Sequence, residues 1–469
     1  MHKVTVNGKI LFCEDGAVLG DIIDISDSSF HHPCGKKGIC KKCTVTVNGK
    51  EELSCKYRIH SDIDVLFSED EKIASDSGIE LTADLSSEQC FVLDIGTTTV
   101  VLALIDKKSG KAISVITEPN PQRSFGADVI SRIEACKKHS TAKLRDVLIS
   151  KINSMLGSFP ENTADEIYVA GNTVMLHIFT GESPVSIGTA PYTPVFLEEK
   201  KLCGEKTGLY GIKTVYTLPC ISSFVGADIV AGLNCTKKPA KDKYSVLADL
   251  GTNAEIVLFS ENRYICTSAA AGPCFEGVGI ECGMNATEGA ICEYSSASSY
   301  RTIGNAPARG ICATGLIDII SVLLKNEIID ETGYMETKKF RITRDVFISD
   351  KDIRQFQNAK SAVCSGILTL IKTYGLQFDD IENLYISGGF ASEMNIDNAV
   401  ITGIIPEELK TKCIALRNTS LAGTIKYACE KKSLTEITAE AKYEDLSLNK
   451  DFSEIFIDNM LFNSFVRDF

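Results

Sequence analysis

Hydrophobic and polar positions alternate strictly at the start of the chain. Val4-Thr5-Val6-Asn7-Gly8-Lys9 recurs word for word as Val45-Thr46-Val47-Asn48-Gly49-Lys50. Such alternation predicts half-buried strands, and Asn-Gly is the favoured two-residue hairpin turn. Between the copies, residues 18–23 predict the start of a short helix. Residues 1–67 therefore read as a small mixed sheet with one helix. Residues 68–88 are acidic and small, and read as a solvated linker of about 20 residues.

Beyond the linker the apolar runs lengthen and glycines punctuate them. Phe91-Val92-Leu93-Asp94-Ile95-Gly96-Thr97-Thr98-Thr99 leads into a second apolar run ending at Ile105. The pattern returns as Leu247-Ala248-Asp249-Leu250-Gly251-Thr252-Asn253 and runs on to Phe259. Each copy reads as two adjacent strands joined by a tight turn. The N–H and hydroxyl groups of such a turn can surround a phosphate, and the aspartate beside it can hold the accompanying magnesium. Either copy alone also suits an ordinary hairpin with a polar turn. Two copies suggest two related half-domains facing one nucleotide. A third turn, Gly388-Gly389 after Tyr385-Ile386, suits packing against a base or ribose. Asn172 follows another strand and glycine, where it can meet a phosphate or cap a helix. The candidate nucleotide residues are thus Asp94, Gly96, Thr97, Thr98, Thr99, Asn172, Asp249, Gly251, Thr252, Asn253, Gly388 and Gly389. Helical spacing puts Leu144, Leu148, Ile152 and Met155 on one core face, and His177 reads as a core histidine. Residues 89–236 form the expected first lobe and 237–469 the second, with a C-terminal tail. A helix following Gly310-Ile311-Cys312 is expected to end near Ile329.

Charge narrows the partners. The net charge is −13 over 469 residues, with a pI near 5.1. Nucleic-acid binding wants clustered Lys and Arg, so nucleic acid is not an expected partner. No uninterrupted apolar run reaches 18 residues, so no membrane span is expected. Residues 1–8 alternate like a strand and do not read as a signal peptide. The expected compartment is the cytoplasm.

Eighteen cysteines in such a chain are not a disulfide framework. Cys34, Cys40, Cys43 and Cys55 have the spacing C-x5-C-x2-C-x11-C, with Gly35 and Gly38 inside the loop. Four thiolates can close a [2Fe–2S] cluster, three from one loop and one from a neighbouring segment. Zinc is the competing metal, although its sites usually show two C-x2-C pairs and here there is one. Cys266, Cys274, Cys282 and Cys292 lack that spacing and read as buried thiols.

The three glycine turns resemble those of the acetate and sugar kinase, Hsp70 and actin superfamily, whose members bind ATP between two lobes. The ordered set of phrases resembles a narrower family, the reductive activators of corrinoid proteins. Those phrases are the cysteine loop 34–55, Asp94 to Thr99, Asn120-Pro121-Gln122 with residues 126–133, Gly171-Asn172-Thr173, Val225 to Asp228, Asp249 to Glu255, Ala271-Gly272-Pro273 with Phe275-Glu276-Gly277, Gly310-Ile311-Cys312, Gly388 to Phe390, and Tyr443 to Leu446 with Phe452. The resemblance implies a fold of mixed class, α+β and α/β: a β-grasp ferredoxin domain, then a two-lobe actin-like (ribonuclease H-like) ATPase domain. It implies ATP with Mg2+, a [2Fe–2S] cluster, a corrinoid protein as partner and an external low-potential electron donor, and it leaves room for a homodimer. The activity it implies is return of Co(II) to Co(I) by one electron. Glu255 and Asp228 are guesses for the hydrolytic base. Long members insert a middle domain where this chain has only the short linker; Ala313-Thr314 replaces Gly-Ser and Cys274 replaces Ala. Rival readings are an ATP-driven donor to another low-potential metalloenzyme, a redox-sensing ATP-binding module, and a small-molecule kinase.

Overall fold

The computed structural model describes residues 1–26, 36, 38, 43–67, 88–160 and 163–462. Cys34, Cys40 and the linker up to residue 87 lie outside these residues.

The alternating opening forms β1 (His2–Val6) and β2 (Lys9–Cys13), and the second copy forms β3 (Thr44–Val47) and β4 (Lys50–Leu53). Both Asn-Gly turns have two consecutive positive φ values, at Asn7-Gly8 and Asn48-Gly49, as the tight hairpin demands. α1 (Leu19–Ser26) supplies the expected helix, and β5 (Ile63–Leu66) completes the sheet. The strand order β2-β1-β5-β3-β4, with β1 parallel to β5, is the topology of a β-grasp. Val4, Val6, Leu19, Ile23, Val45, Val47 and Val65 pack into its core.

Two larger sheets follow. The first is built from β6 (Gln89–Ile95), β7 (Thr99–Asp106), β8 (Lys111–Pro119), β9 (Glu166–Gly171), β10 (Lys200–Cys203) and β11 (Thr214–Thr217). The second uses β12 (Tyr244–Leu250), β13 (Ala254–Phe259) and β14 (Tyr264–Ala269). It adds β20 (Ile381–Ser387), β21 (Cys413–Ala415) and β22 (Ala441–Tyr443). The runs β11-β9-β6-β7-β8 and β21-β20-β12-β13-β14 share one order and one pattern of directions. The duplication legible at the turns is therefore a duplication of whole half-domains. Covered on both faces, β6 and β7 are apolar almost throughout, as central strands must be.

Helices cover the sheets. In the first lobe these are α2 (Val129–His139), α3 (Thr141–Leu156), α4 (Thr173–Thr180), α5 (Gly204–Thr207) and α6 (Ala227–Cys235). Asp128 caps α2 in a reciprocal box with Ser131, and Leu144, Leu148, Ile152 and Met155 form the buried face of α3. The second lobe adds α7 (Ala313–Lys325), α8 (Asp350–Thr373) and α9 (Ile396–Ile401). Its last helices are α10 (Thr419–Glu430), α11 (Thr435–Glu440) and α12 (Lys450–Asp458). Small strands β15 (Ala290–Ser296), β16 (Ser299–Thr302) and β17 (Gly310–Ile311) form a satellite sheet, and β18 (Lys339–Arg341) pairs with β19 (Phe347–Ser349). α7 ends at Lys325, not near Ile329. Asn326 caps it, and Glu327 at φ +55° turns the chain away. No helix among the described residues is long and apolar enough to cross a membrane.

The lobes meet where α6 crosses α10. Gly423 of α10 lies so close to α6 that a Cβ there would collide with the Ala231 carbonyl. The Asn234 side-chain amide also donates to the Gly423 carbonyl at 3.0 Å. A side chain at this crossing must push the helices apart, at a cost of about 1–3 kcal/mol. Gly423→Val is therefore expected to lower the urea midpoint of the ATPase portion measurably. An unchanged midpoint would rule out a tight crossing.

Candidate functional site

All twelve sequence-predicted nucleotide residues line a single cleft of about 1940 Å³ between the two sheets. Topology brings them together. The parallel pairing of β6 with β9 ends in Gly96 and Asn172, and that of β12 with β20 ends in Gly251 and Gly388.

The first turn is held from behind. The Asn120 side-chain amide donates to the Gly96 carbonyl at 2.8 Å. Arg132 of α2, fully buried, donates to the carbonyls of Thr97 and, at 3.1 Å, of Gly126. Burial pushes the Arg132 guanidinium down to about 9. Asn172 takes the capping role: its Oδ1 accepts from Met175 N–H at 2.9 Å at the start of α4, while its Nδ2 donates to Thr97 Oγ1 at 3.1 Å. His177 is a satisfied core residue, bonded to the Thr173 carbonyl and Val195 N–H and stacked on Phe196. The second turn is joined to the third by close backbone approach. Gly388 sits at φ +116°, and a Cβ there would strike the Leu250 carbonyl.

Four acids gather at the cleft floor. Asp94 accepts from Asn418 Nδ2 at 2.8 Å and from Ser420 Oγ at 2.7 Å, both from the start of α10. Burial raises Asp94, and those two bonds offset part of the rise. Asp228, on α6, is pushed up to about 7 by burial and then by Asp249 and Asp94. Asp249 is raised to about 6, mainly by burial; the Ser387 hydroxyl, in register beside it but short of a hydrogen bond, offsets a little. Glu255 is raised well above its ordinary range by burial, then by Asp228 and Asp249. Asp228, Asp249 and Glu255 each keep part of their surface open to the cleft. Thr419 also lines the cleft, but its hydroxyl is buried and unpartnered, turned toward Gly232 of α6. No three of these acids converge closely enough to hold a metal by themselves, so a divalent cation here would take most of its ligands from phosphate and water.

The cysteine site is described in half. Cys43 and Cys55 are both buried. The Cys43 carbonyl accepts from Ser54 N–H at 3.0 Å, so the two thiols flank the open end of the β3–β4 hairpin. That placement fits two ligands of one metal group; Cys34 and Cys40 fall outside the described residues. Cys266, Cys274 and Cys292 are buried and Cys282 is half-buried. No three of the described His, Cys, Asp and Glu residues form a metal-holding group.

Sequence reasoning missed Asn418 and Ser420 as parts of the site, and held Asn120 and Arg132 only inside the phrases Asn120-Pro121-Gln122 and 126–133 without giving them a role. Asn418 carries a local signal, as the N-cap of α10, but nothing local says that its amide reaches Asp94. Glu276, whose carboxylate accepts from both Thr98 and Thr252, was visible only inside the phrase Phe275-Glu276-Gly277.

Two duplicated half-domains around a shared acidic cleft define an actin-like ATPase architecture. Two consecutive family models match the chain: the RACo middle region over residues 90–237, and the C-terminal domain of RACo, the ASKHA domain, over residues 243–467. The chain belongs to the RACo family. The middle region is thus present as the first lobe, which corrects the expectation that it was replaced by a short linker. The corrinoid activation enzyme RamQ of Eubacterium limosum is 28% identical over 414 residues, spanning 79% of this chain and 69% of its own length. The [Co(II) methylated amine-specific corrinoid protein] reductase of Methanosarcina barkeri is 26% identical over 394 residues, spanning 75% and 72%. The solved structure of a reductive activator for corrinoid, iron-sulfur protein aligns over 98% of both chains with a TM-score of 0.72 at 24% identity, and so shares the fold.

The acid cluster makes a pH-dependent prediction. Asp228 binds its proton more tightly folded than unfolded, where its pKa is about 4. Its contribution to stability is therefore lost as pH rises from about 4 through about 7. Asp228→Asn should melt close to the parent at about pH 5 and above it at about pH 8, both without ligand. A melting difference that stays constant, or runs the other way, contradicts a raised Asp228 carboxyl at the cleft floor.

Proposed function

We propose that this chain is an iron–sulfur ATPase that reductively activates a corrinoid protein, returning its cobalt from Co(II) to Co(I) with one electron. Membership of the RACo family and the names of two relatives, each aligned over about three quarters of this chain, support the target class. The observation that carries the mechanism is the single cleft: two phosphate turns, from lobes joined at one helix crossing, face each other across four carboxylates.

In this reading Cys34, Cys40, Cys43 and Cys55 hold a [2Fe–2S] cluster, and the acids hold Mg2+ with ATP. The cluster supplies one electron at a potential of roughly −400 mV, and the corrinoid couple lies lower, so the transfer needs an energy input. Thr97 to Thr99 and Thr252 take the phosphates, Asp94 and Asp249 orient the cation, and Gly388-Gly389 receive the adenosine. Asn418 and Ser420 tie Asp94 of one lobe to a helix of the other. A nucleotide that engages Asp94 therefore acts on the crossing as well as on the turn. Closure about that crossing is the element that changes partner affinity or cobalt ligation. An external low-potential donor re-reduces the chain after each transfer.

The test is anaerobic. Chain purified without oxygen should contain two irons and two sulfides, following the cluster type. Reduced and mixed with a Co(II) corrinoid protein, it should generate the Co(I) absorbance only with Mg-ATP. Cys55→Ser should lose iron and cobalt reduction while still binding Mg-ATP. A colourless zinc protein, or cobalt reduction indifferent to ATP, would refute the proposal.

A further inference from the structure

Glu276 ends a short 3-10 turn, Pro273–Glu276, at the edge of the cleft. Its carboxylate spans the two phosphate turns. Oε2 accepts from Thr98 Oγ1 of the first lobe at 3.1 Å, and Oε1 accepts from Thr252 Oγ1 of the second at 2.6 Å. One anion thus occupies the hydroxyl cradle that both turns present, standing where phosphate oxygens would sit. The turn that carries it is rigid. Phe275 is buried between Phe356 of α8 and Phe390 of the third turn, with ring centroids 6.0 and 5.1 Å away.

Its electrostatic setting differs from that of the floor acids. Asp228 and Glu255 are raised first by burial and then by neighbouring carboxylates, Asp249 among them in each case. Glu276 is instead coupled to Arg132, the buried cation behind Thr97. A guanidinium there offsets the negative charge of carboxylate and phosphate together.

We infer that Glu276 is the general base for ATP hydrolysis, a role that rests on the ATP-driven reading above and that the sequence had offered to Glu255 or Asp228. When the terminal phosphate enters the cradle, the Thr98 and Thr252 hydroxyls transfer from the carboxylate to phosphate oxygens. The freed carboxylate faces the phosphorus and accepts a hydrogen bond from one water. The water oxygen bonds to the γ-phosphorus as the bond from phosphorus to the β,γ-bridging oxygen breaks. The electron pair leaves with ADP, and the water proton passes to Glu276 and then to phosphate or solvent. Without nucleotide the same carboxylate latches the two turns together.

Two substitutions in the full chain separate base from latch. Glu276→Gln keeps a contact to each threonine hydroxyl, its Oε1 accepting from one and its Nε2 donating to the other, but cannot take a proton, whereas Glu276→Ala removes both functions. Single-turnover phosphate release by the isolated chain should fall by about 10²- to 10⁴-fold in both. The Glu276→Gln variant should bind Mg-ATP within about threefold of the parent, which also reports that it is folded. If Glu276→Gln releases phosphate within about tenfold of the parent, or loses binding in step with hydrolysis, Glu276 is a latch and the inference fails. Normal phosphate release with no cobalt reduction would instead count against the corrinoid reading.

Discussion

A buried carboxylate needs partners, and Asp94 finds them far along the chain. Its two oxygens are satisfied by Asn418 and Ser420, more than 300 positions later in the chain. The rest of the ATPase portion is arranged so that this can happen. α10 must cross α6 closely enough to reach β6, which leaves no room for a side chain at Gly423. Both lobes must contribute to the cleft floor, so neither forms a complete site alone. Burial raises Asp94, Asp228, Asp249 and Glu255 on that floor, and neighbouring carboxylates add to the rise at the last three. The unliganded fold thereby gives up some stability in a form that ligand binding recovers.

Much of this was legible in the sequence, and the reason is locality. Phosphate turns are made from contiguous residues, so Asp94 to Thr99 and Asp249 to Asn253 announce themselves by pattern, and their repetition announces the duplication. The Asn-Gly hairpins carry their own geometry for the same cause. What stayed hidden depends on pairs far apart in sequence. Arg132 looks like an ordinary helix residue until α2 places it beneath Thr97, and Asn418 looks like an ordinary cap. Glu276 sits in a recognisable phrase, but its two hydrogen bonds come from residues 178 and 24 positions away. Ile329 was misjudged for a smaller reason: apolar spacing continues past Lys325, while a left-handed Glu327 ends the helix.

The two cores also divide the labour. Aliphatic side chains from α7, α8 and the second sheet form the larger, self-contained cluster. The first-lobe cluster continues through α6 into Leu247, Val257 and Tyr385 of the second sheet. That shared apolar layer lies behind the helix crossing. The two lobes are thus joined by packed side chains as well as by the crossing itself.

The second sheet is finished late. β22 pairs with the edge of β14, α12 packs on α8 through the Ser361 and Ser365 hydroxyls, and the fully buried Phe462 stacks on Phe356. During translation the β-grasp unit can close as soon as it emerges, because its core draws only on its own strands and helix. The ATPase cannot, since its edge strand and its last core aromatic leave the ribosome some four hundred residues later. The β-grasp unit can thus fold well before the cleft exists, and a truncated chain would leave a sheet edge open to self-association.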